Sequence, residues 1–396
     1  MNELSQTNLS NEKAVLNVGV LGQGFMGKMH SHAYSVAACI FEDLPVRPRL
    51  YAVGGRDEDR LQAFAARFGF AHYSTNWRSI INVPEIDLID ICLPEHLHEE
   101  ACIAALQAGK QILCEKPLAL DVQSCQNILQ ATAGVEQKHM VNFNYRFLPA
   151  VQLARKLIQD GLLGELRFSR MNYLQESGAD PHRPAEQVRY AYGEKQLGSI
   201  RGLGSHLIDL ARFLVDEVIS TSALMKTFTP NRVTSWGELH RVNADELTTM
   251  IVEFAGGSIG LFSTGAVSSG RKNQLAFEIN GSKGSLAYDV EKLNTLQVYL
   301  TEGAHPSLQG FTSVNVTDKK RHPLMAGWWP PAHNLGWEHS HINSIRHFLT
   351  CIAENQPISP LGATFEDGCR STLIAEQAYL SHREKQWREI PLETSP

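Results

Sequence analysis

The chain has 396 residues, 43% hydrophobic and 20% charged, and its 42 acidic against 36 basic residues leave a formal charge of -6. That length exceeds one ordinary hydrophobic core, so about two domains are expected. No Lys/Arg run supplies the electrostatic footprint that a nucleic acid needs, and no apolar stretch approaches a membrane span. The seven cysteines are odd in number and lack CxxC spacing, which argues against a disulfide framework and for a reducing compartment, the cytoplasm. Residues 1–13, opening on the polar and acidic "MNELSQTNLSNE", read as a disordered tail and not as a secretory signal.

From residue 14 to 146 short apolar runs alternate with longer amphipathic stretches, the pattern of βαβ units around a doubly wound parallel sheet. Strands are expected at "VLNVGVL" (15–21), "RLYAVGG" (49–55), "DLIDICL" (87–93), "QILCE" (111–115) and "HMVNFN" (139–144), each apolar enough to be buried on both faces. "DRLQAFAARFG" and "HEEACIAALQAGK" carry apolar residues at helical spacing and close on Gly69 and Gly109, where a left-handed residue is expected. The first strand runs into "GQGFMG", which sets Gly22, Gly24 and Gly27 before a helix beginning near Phe25. Such a turn lets backbone N–H groups and a helix N-terminus meet a pyrophosphate. A bare βα turn is the competing reading, and the surrounding βαβ pattern outweighs it.

NAD-binding versions of this fold usually end their second strand in an acidic residue that bonds the adenosine 2′-hydroxyl. Here the run is "AVGGRDEDR": Gly54 and Gly55 leave that position empty, and Arg56 offers a guanidinium to a 2′-phosphate. NADP is thus favoured over NAD as the cofactor, although Arg56 stacked on adenine would suit NAD.

The texture changes over 147–396. "AVQLARKLIQDG" reads as a helix, followed by strand-like runs "ELRFSRMNYLQ", "LTTMIVEFAGG", "SIGLFSTG" and "QLAFEING". The joints "AGGS" and "NGSKGS" look like hairpin turns, so an antiparallel or mixed sheet is expected. "SHLIDLARFLVDE" and "GWEHSHINSIRHFLTCIAE" should be helices covering one of its faces. "MAGWWPPAHNLGW" (325–337) is expected to be a loop near a site or an interface.

The fourth strand of the first half ends in Glu115, Lys116 and Pro117, and a lysine at a strand's carboxyl end in this fold points at the ligand crevice. The glycine turn with "MHSHAY", the "LPEHLHEE…AGK…CEKPLA" block, "NFNYRFLPA" and "GSHLIDLARFL" together resemble the Gfo/Idh/MocA oxidoreductase family over most of the chain. "FGFAHYSTNWRSIINVPEIDLIDI", "YLQESGADP" and "GATFEDGCR" look most like its branch around levoglucosan and inositol dehydrogenases. The resemblance implies an α/β fold with an N-terminal Rossmann domain (14–146). A C-terminal α/β domain (147–396) would follow, with a large open, mostly antiparallel sheet and a face used in a homo-dimer or homo-tetramer. It implies NAD(P)-dependent hydride transfer to or from a secondary alcohol or ketone of a sugar or cyclitol. Along the cofactor it sets Gly22, Gly24, Phe25, Met26, Gly27, Gly55, Arg56, Leu93, Pro94, His98, Glu115 and Asn144.

That chemistry needs a base for the hydroxyl proton and donors that polarise the carbonyl oxygen. Lys116 suits as donor and proton shuttle, and His206 corresponds to the family histidine commonly assigned as general acid/base. Asp209, three residues on, shares its helical face and would orient the imidazole or touch substrate. Tyr145 and Arg146 in "NYR", with Tyr173 and Gln175 in "NYLQ", are expected to face sugar hydroxyls. The chain departs from the family's D-x-G-x-H by carrying Gly202 four residues before His206, with Glu95 or Asp180 as carboxylates that would compensate. His96, His98, His339 and His341 lack known zinc spacing, so no metal is expected. An enzyme that eliminates or hydrolyses through transient oxidation by bound NAD, and a non-catalytic nucleotide-binding regulator, are the alternatives.

Overall fold

The first strand, β1 (Ala14–Leu21), is buried along its last four residues and delivers the chain directly into the glycine turn. The structure, a computed structural model, describes residues 13–188, 197–303 and 305–392, so the expected tail lies outside it except for Lys13. After β1 come α1 (Phe25–Ile40), β2 (Val46–Gly54), α2 (Glu58–Phe68), β3 (His72–Ser74), α3 (Trp77–Ile81) and β4 (Leu88–Ile91). The half closes with α4 (His98–Gln107), β5 (Gln111–Cys114), α5 (Val122–Thr132) and β6 (His139–Val141). The six strands pair in parallel in the order β3-β2-β1-β4-β5-β6. Strand order reverses between β1 and β4, and a crevice opens at the carboxyl ends there. Gly69 and Gly109 take left-handed φ values of 74 and 70°, as their places after α2 and α4 require.

The second half contains α6 (Pro149–Gln159), β7 (Leu166–Leu174), α7 (Ser205–Leu214), β8 (Val218–Lys226) and the small hairpin β9 (Asn231–Val233) and β10 (Leu239–Arg241). It continues through β11 (Leu247–Phe254), β12 (Ile259–Gly265), β13 (Gln274–Gly281), β14 (Gly284–Asp289), β15 (Thr295–Leu300) and β16 (Thr312–Asn315). Last come α8 (Glu338–Ala353), α9 (Phe365–Glu384) and β17 (Arg388–Glu389). Nine strands form a mixed sheet, β16-β15-β14-β13-β7-β12-β11-β8-β17, antiparallel except for the β7–β12 pair. The "AGGS" and "NGSKGS" joints turn β11 into β12 and β13 into β14 as antiparallel hairpins.

One face of this sheet is covered by α6, α7 and α9, whose Val151, Leu207, Leu210, Ile374 and Ala378 pack with Met171, Val252, Phe262 and Phe277 of the strands. The opposite face alternates outward, leaving Phe168, Ile251 and Ile259 exposed. α8 does not cover the sheet as its sequence suggested. It packs on α1 of the first domain, with Ile342, Ile345, Phe348 and Leu349 in one core with Val18, Tyr34 and Phe41. Helical periodicity marks an apolar face without naming its partner. The loop before it joins the same core through Met325, Trp328 and Leu335. No helix among the described residues is long and apolar enough to cross a membrane.

Candidate active site

The glycine turn has a separate reason for each glycine. Gly22 has φ 122°, and a Cβ there would meet the Cys92 carbonyl oxygen at 2.4 Å. A Cβ on Gly27 would meet the Gly22 carbonyl at 1.8 Å, so α1 can leave the turn only with glycine at that place. Gly24 borders open space, with nothing within 4 Å of its Cβ position. It is also the N-cap of a 16-residue helix whose first turn contains no acidic residue and no side-chain cap. The N–H groups of that turn and the helix dipole therefore face the open side of the turn, an arrangement that fits a pyrophosphate. Beside it a cavity of about 410 Å³ lies between α1 and α2, and Lys28, Arg60 and Arg67 line it with positive charge.

Phe25 is 70% exposed and stacks on Trp337, ring centroids 5.7 Å apart, while Met26 is half-buried. At the end of β2, Gly55 lies against Gln23 and Arg56 is exposed. Asp57 is committed to α2, whose Arg60 N–H it accepts at 3.0 Å, so its carboxylate is turned toward a helix end.

Across the crevice β5 ends at Cys114, and Glu115 and Lys116 follow it directly. Lys116 is half-buried, and its Nζ donates to the Gly202 carbonyl at 2.7 Å. Gly202 lies in a five-residue π-helix, Ile200–Gly204, held by the Asp245 carboxylate, which accepts from the N–H groups of Gly198 and Ile200 at 2.6 and 2.9 Å. A π-turn frees backbone carbonyls from the α-helical ladder, and here one of them meets the lysine. Glu95 does not reach for Lys116: it pairs with Arg201 at 2.6 Å, the guanidinium being 5% exposed. Asp180 is exposed, and its backbone carbonyl accepts from Arg232.

His206, in the first turn of α7, is 6% exposed, with its ring edge-on to Tyr145 (4.7 Å) and close to Tyr173 (5.8 Å) and Phe143 (5.9 Å). The Tyr145 and Tyr173 hydroxyls are 2.9 Å apart. Tyr173 Oη and Gln175 Nε2 both donate to Asn273 Oδ1 at 2.8 Å, and Asn273 Nδ2 donates to Tyr145 at 3.3 Å. Asn273 escaped the sequence reading because β13 reaches this place only through its pairing with β7.

Four expected site residues are otherwise engaged. Arg146 and Asp209 bury each other: Nη2 and Nε donate to the carboxylate at 2.6 and 2.9 Å, with exposures of 4% and 1%. Asp209 therefore serves the guanidinium, not the His206 ring. The His98 ring bridges the carbonyls of Leu93 and Pro117, both at 2.9 Å, bracing the lysine turn from behind; Pro94 beside it is exposed. Asn144 donates to the Ser340 hydroxyl at 2.7 Å and fastens the first sheet to α8.

Beneath the lysine turn lies a network that composition alone does not reveal. His30 Nδ1 is 2.9 Å from both Asp90 oxygens, and its Nε2 is 3.1 Å from Glu115 Oε1. The Asn142 amide donates to Glu115 Oε1 at 2.7 Å and to His341 Nδ1 at 3.0 Å, and Ser344 donates to Asn142 Oδ1. Burial opposes charge on His30, but Asp90 outweighs it and the ring's pKa is raised well above its ordinary value. Burial pushes Glu115 up, yet the hydrogen bond and charge of His30 hold it at about 2. His341 is pushed down to about 3 by burial and by the His30 cation. Two triads here, His30–Asp90–Cys92 and His30–Glu115–His341, bring metal-ligating atoms together, but the Asn142 nitrogen lies 2.7–3.0 Å from all three atoms of the second. The cluster is an ion-pair network closed around an amide.

Residues 16–143 match the model of a family described as "Oxidoreductase family, NAD-binding Rossmann fold", and residues 151–287 match that of the GFO/IDH/MocA C-terminal domain. Levoglucosan dehydrogenase of Pseudarthrobacter phenanthrenivorans is 35% identical over 95% of this chain and 98% of its own length. Inositol 2-dehydrogenase of Rhizobium meliloti is 26% identical over 93% of this chain and 97% of its own. A solved structure of levoglucosan dehydrogenase in complex with NADH superposes with a TM-score of 0.90 at 35% identity, covering 95% of this chain and 99% of that one.

Proposed function

The chain belongs to the Gfo/Idh/MocA oxidoreductase family, and on that premise we propose that it moves a hydride between a nicotinamide dinucleotide and a secondary alcohol or ketone of a ring sugar or cyclitol. The reading rests on one observation: Lys116 donates to the carbonyl of Gly202, four residues before His206, which sets the lysine turn against the segment leading into the helix of that imidazole. When the dinucleotide is bound, its nicotinamide accepts or returns the hydride. Lys116 Nζ exchanges the Gly202 carbonyl for the reacting oxygen and, with His206, carries its proton. Tyr145, Tyr173, Gln175 and Asn273 offer hydroxyl and amide groups to neighbouring substrate hydroxyls. The levoglucosan and inositol dehydrogenases among its relatives support a polyol substrate.

NAD(H) follows from the family and from the NADH held by the related structure. We propose that NADP(H) is accepted as well, because no carboxylate guards the end of β2, Asp57 is spent on capping α2, and Arg56 is exposed there. The open face of the second sheet, where Phe168 and Ile259 pair across β7 and β12, supports a homo-dimer or homo-tetramer built on that face. Seven free cysteines support a cytoplasmic setting. A panel of ring sugars, anhydrosugars and cyclitols, assayed with both cofactors by the absorbance of the reduced nicotinamide, should give stoichiometric turnover with at least one member. Substrate conversion without net change in the nicotinamide would replace the proposal with transient oxidation, and nucleotide binding without any turnover would replace it with a regulator.

A further inference from the structure

Asp90, His30, Glu115 and Lys116 form a row of contacts leading from inside the first sheet to the cleft. Asp90 and His30 are 0% exposed and Glu115 is 5% exposed, whereas Lys116 is half-buried and carries its Nζ to the Gly202 carbonyl. His30 lies between the two carboxylates, 2.9 Å from Asp90 and 3.1 Å from Glu115, and Glu115 Oε2 accepts from the Lys116 backbone N–H at 3.2 Å. Two anions and two cations sum to zero, and the last cation is the one that the proposed reaction uses. A brace between strands needs no charge, and burying three of them is costly unless they serve one another.

We infer that His30 is a positioning residue acting through Glu115: its imidazolium cancels one of two buried carboxylates, so that Lys116 gives up and regains its proton beside one uncompensated buried carboxylate instead of two. The inference deepens the dehydrogenase reading and rests on it for the use made of Lys116. Three further titratable groups beside the row are uncharged near neutral pH. Burial keeps the Tyr34 phenol and the Cys92 thiol protonated beside Asp90, and His341 is neutral on α8. Among the described residues, Glu115 and His341 stand near Lys116, with the Glu95–Arg201 pair and His206 beyond Gly202. Removing the imidazolium leaves Lys116 facing an extra negative charge, which favours its protonated form.

Lysine labelled with ¹³C at Cε reports this directly by NMR titration of the apoprotein, the Lys116 resonance being the one lost in Lys116→Ala. His30→Gln should raise the Lys116 midpoint by about one pH unit, the order expected for one unit charge in a partly buried set. His30→Gln combined with Asp90→Asn restores the net charge without the hydrogen bonds, and the midpoint should return to within a few tenths of its original value. Midpoints that stay put in the single variant, or that drift further in the double one, overturn the inference. The unmodified protein provides a test without any variant: ¹⁵N NMR of its histidines should show the His30 ring doubly protonated at neutral pH, and a neutral ring there overturns the inference equally. Opposed shifts in a protein that turns over no sugar or cyclitol would leave the charge row standing and remove the dehydrogenase reading.

Discussion

Lys116 Nζ donates to the carbonyl of Gly202 at 2.7 Å, and this bond ties the carboxyl edge of the first sheet to the π-turn that leads into α7. The acceptor is a neutral carbonyl at the place where the family pattern has a carboxylate. A substrate oxygen that takes over this bond displaces a neutral carbonyl, not a carboxylate. Glu95, the nearby acid that sequence offered as a substitute, is bound to Arg201.

Lys116→Ala removes the group on which the proposed chemistry depends. Turnover should fall by about two orders of magnitude or more, the scale of a lost acid/base or oxyanion donor. NADH binding, followed by quenching of protein fluorescence, should stay within a few fold. Turnover near that of the unaltered protein would remove Lys116 from the mechanism.

Arg56 decides the proposed tolerance for a 2′-phosphate, because it is the exposed cation just past β2 and the adjacent Asp57 carboxylate is turned to capping α2. Arg56→Ala should lower the ratio of kcat/KM for NADPH over NADH at least twofold, the loss of a charge-assisted contact to phosphate. An unchanged ratio rejects that role.

Stability should fall with acid in two windows. Glu115 has its folded pKa depressed from an ordinary 4.5 to about 2, so its contribution is whole above 4.5 and is lost as pH drops through about 2. His341 is lowered from 6.5 to about 3, so the unfolded chain binds its proton first and stability declines as pH falls from 6.5 toward 3. His30 has the opposite sign: its raised value gives stability that is complete below 6.5 and is lost as pH climbs through the folded value. Urea denaturation across pH should show Glu115→Gln flattening the lower window, by at most ~3 kcal/mol, and His341→Asn flattening the upper one. Parallel profiles for all three proteins would refute this assignment.

Arg146→Ala leaves the Asp209 carboxylate, 1% exposed, without its guanidinium. The expected loss is about 3–5 kcal/mol in chemical denaturation, the cost of an unpaired buried charge. Arg146→Met with Asp209→Leu should recover most of it, because an apolar pair of similar volume has no charge to strand. A small loss in the single variant would mean that water reaches the carboxylate and that the site is less closed than its geometry.

The legible parts of the fold were those with a strong local period. The five strands of the first half announced themselves as apolar runs, and Gly69 and Gly109 ended their helices where only a left-handed residue fits. β3, with three residues and no fully buried side chain, has too little pattern to be read, and α3 spans only five residues. α9 was hidden for another reason: it buries small and polar residues such as Gly368, Ser371, Thr372 and Ala378, so its face lacks hydrophobic contrast. Its start was nevertheless written in the Thr364–Asp367 capping box, a signal worth about 1 kcal/mol.

By itself, sequence determined what depends on near neighbours along the chain: the glycine turn, the strand that leads into Glu115 and Lys116, the helix with His206 in its first turn, and hence the kind of chemistry on offer. Tertiary structure alone decided which of those groups meet. Arg146 and Asp209 are 63 positions apart and neutralise each other. His30 gathers Asp90 from 60 positions away and Glu115 from 85, and α8 leaves the sheet for α1. A side chain's type states what it can bind, whereas its charge and its partner depend on burial and on groups that only folding brings within hydrogen-bonding distance.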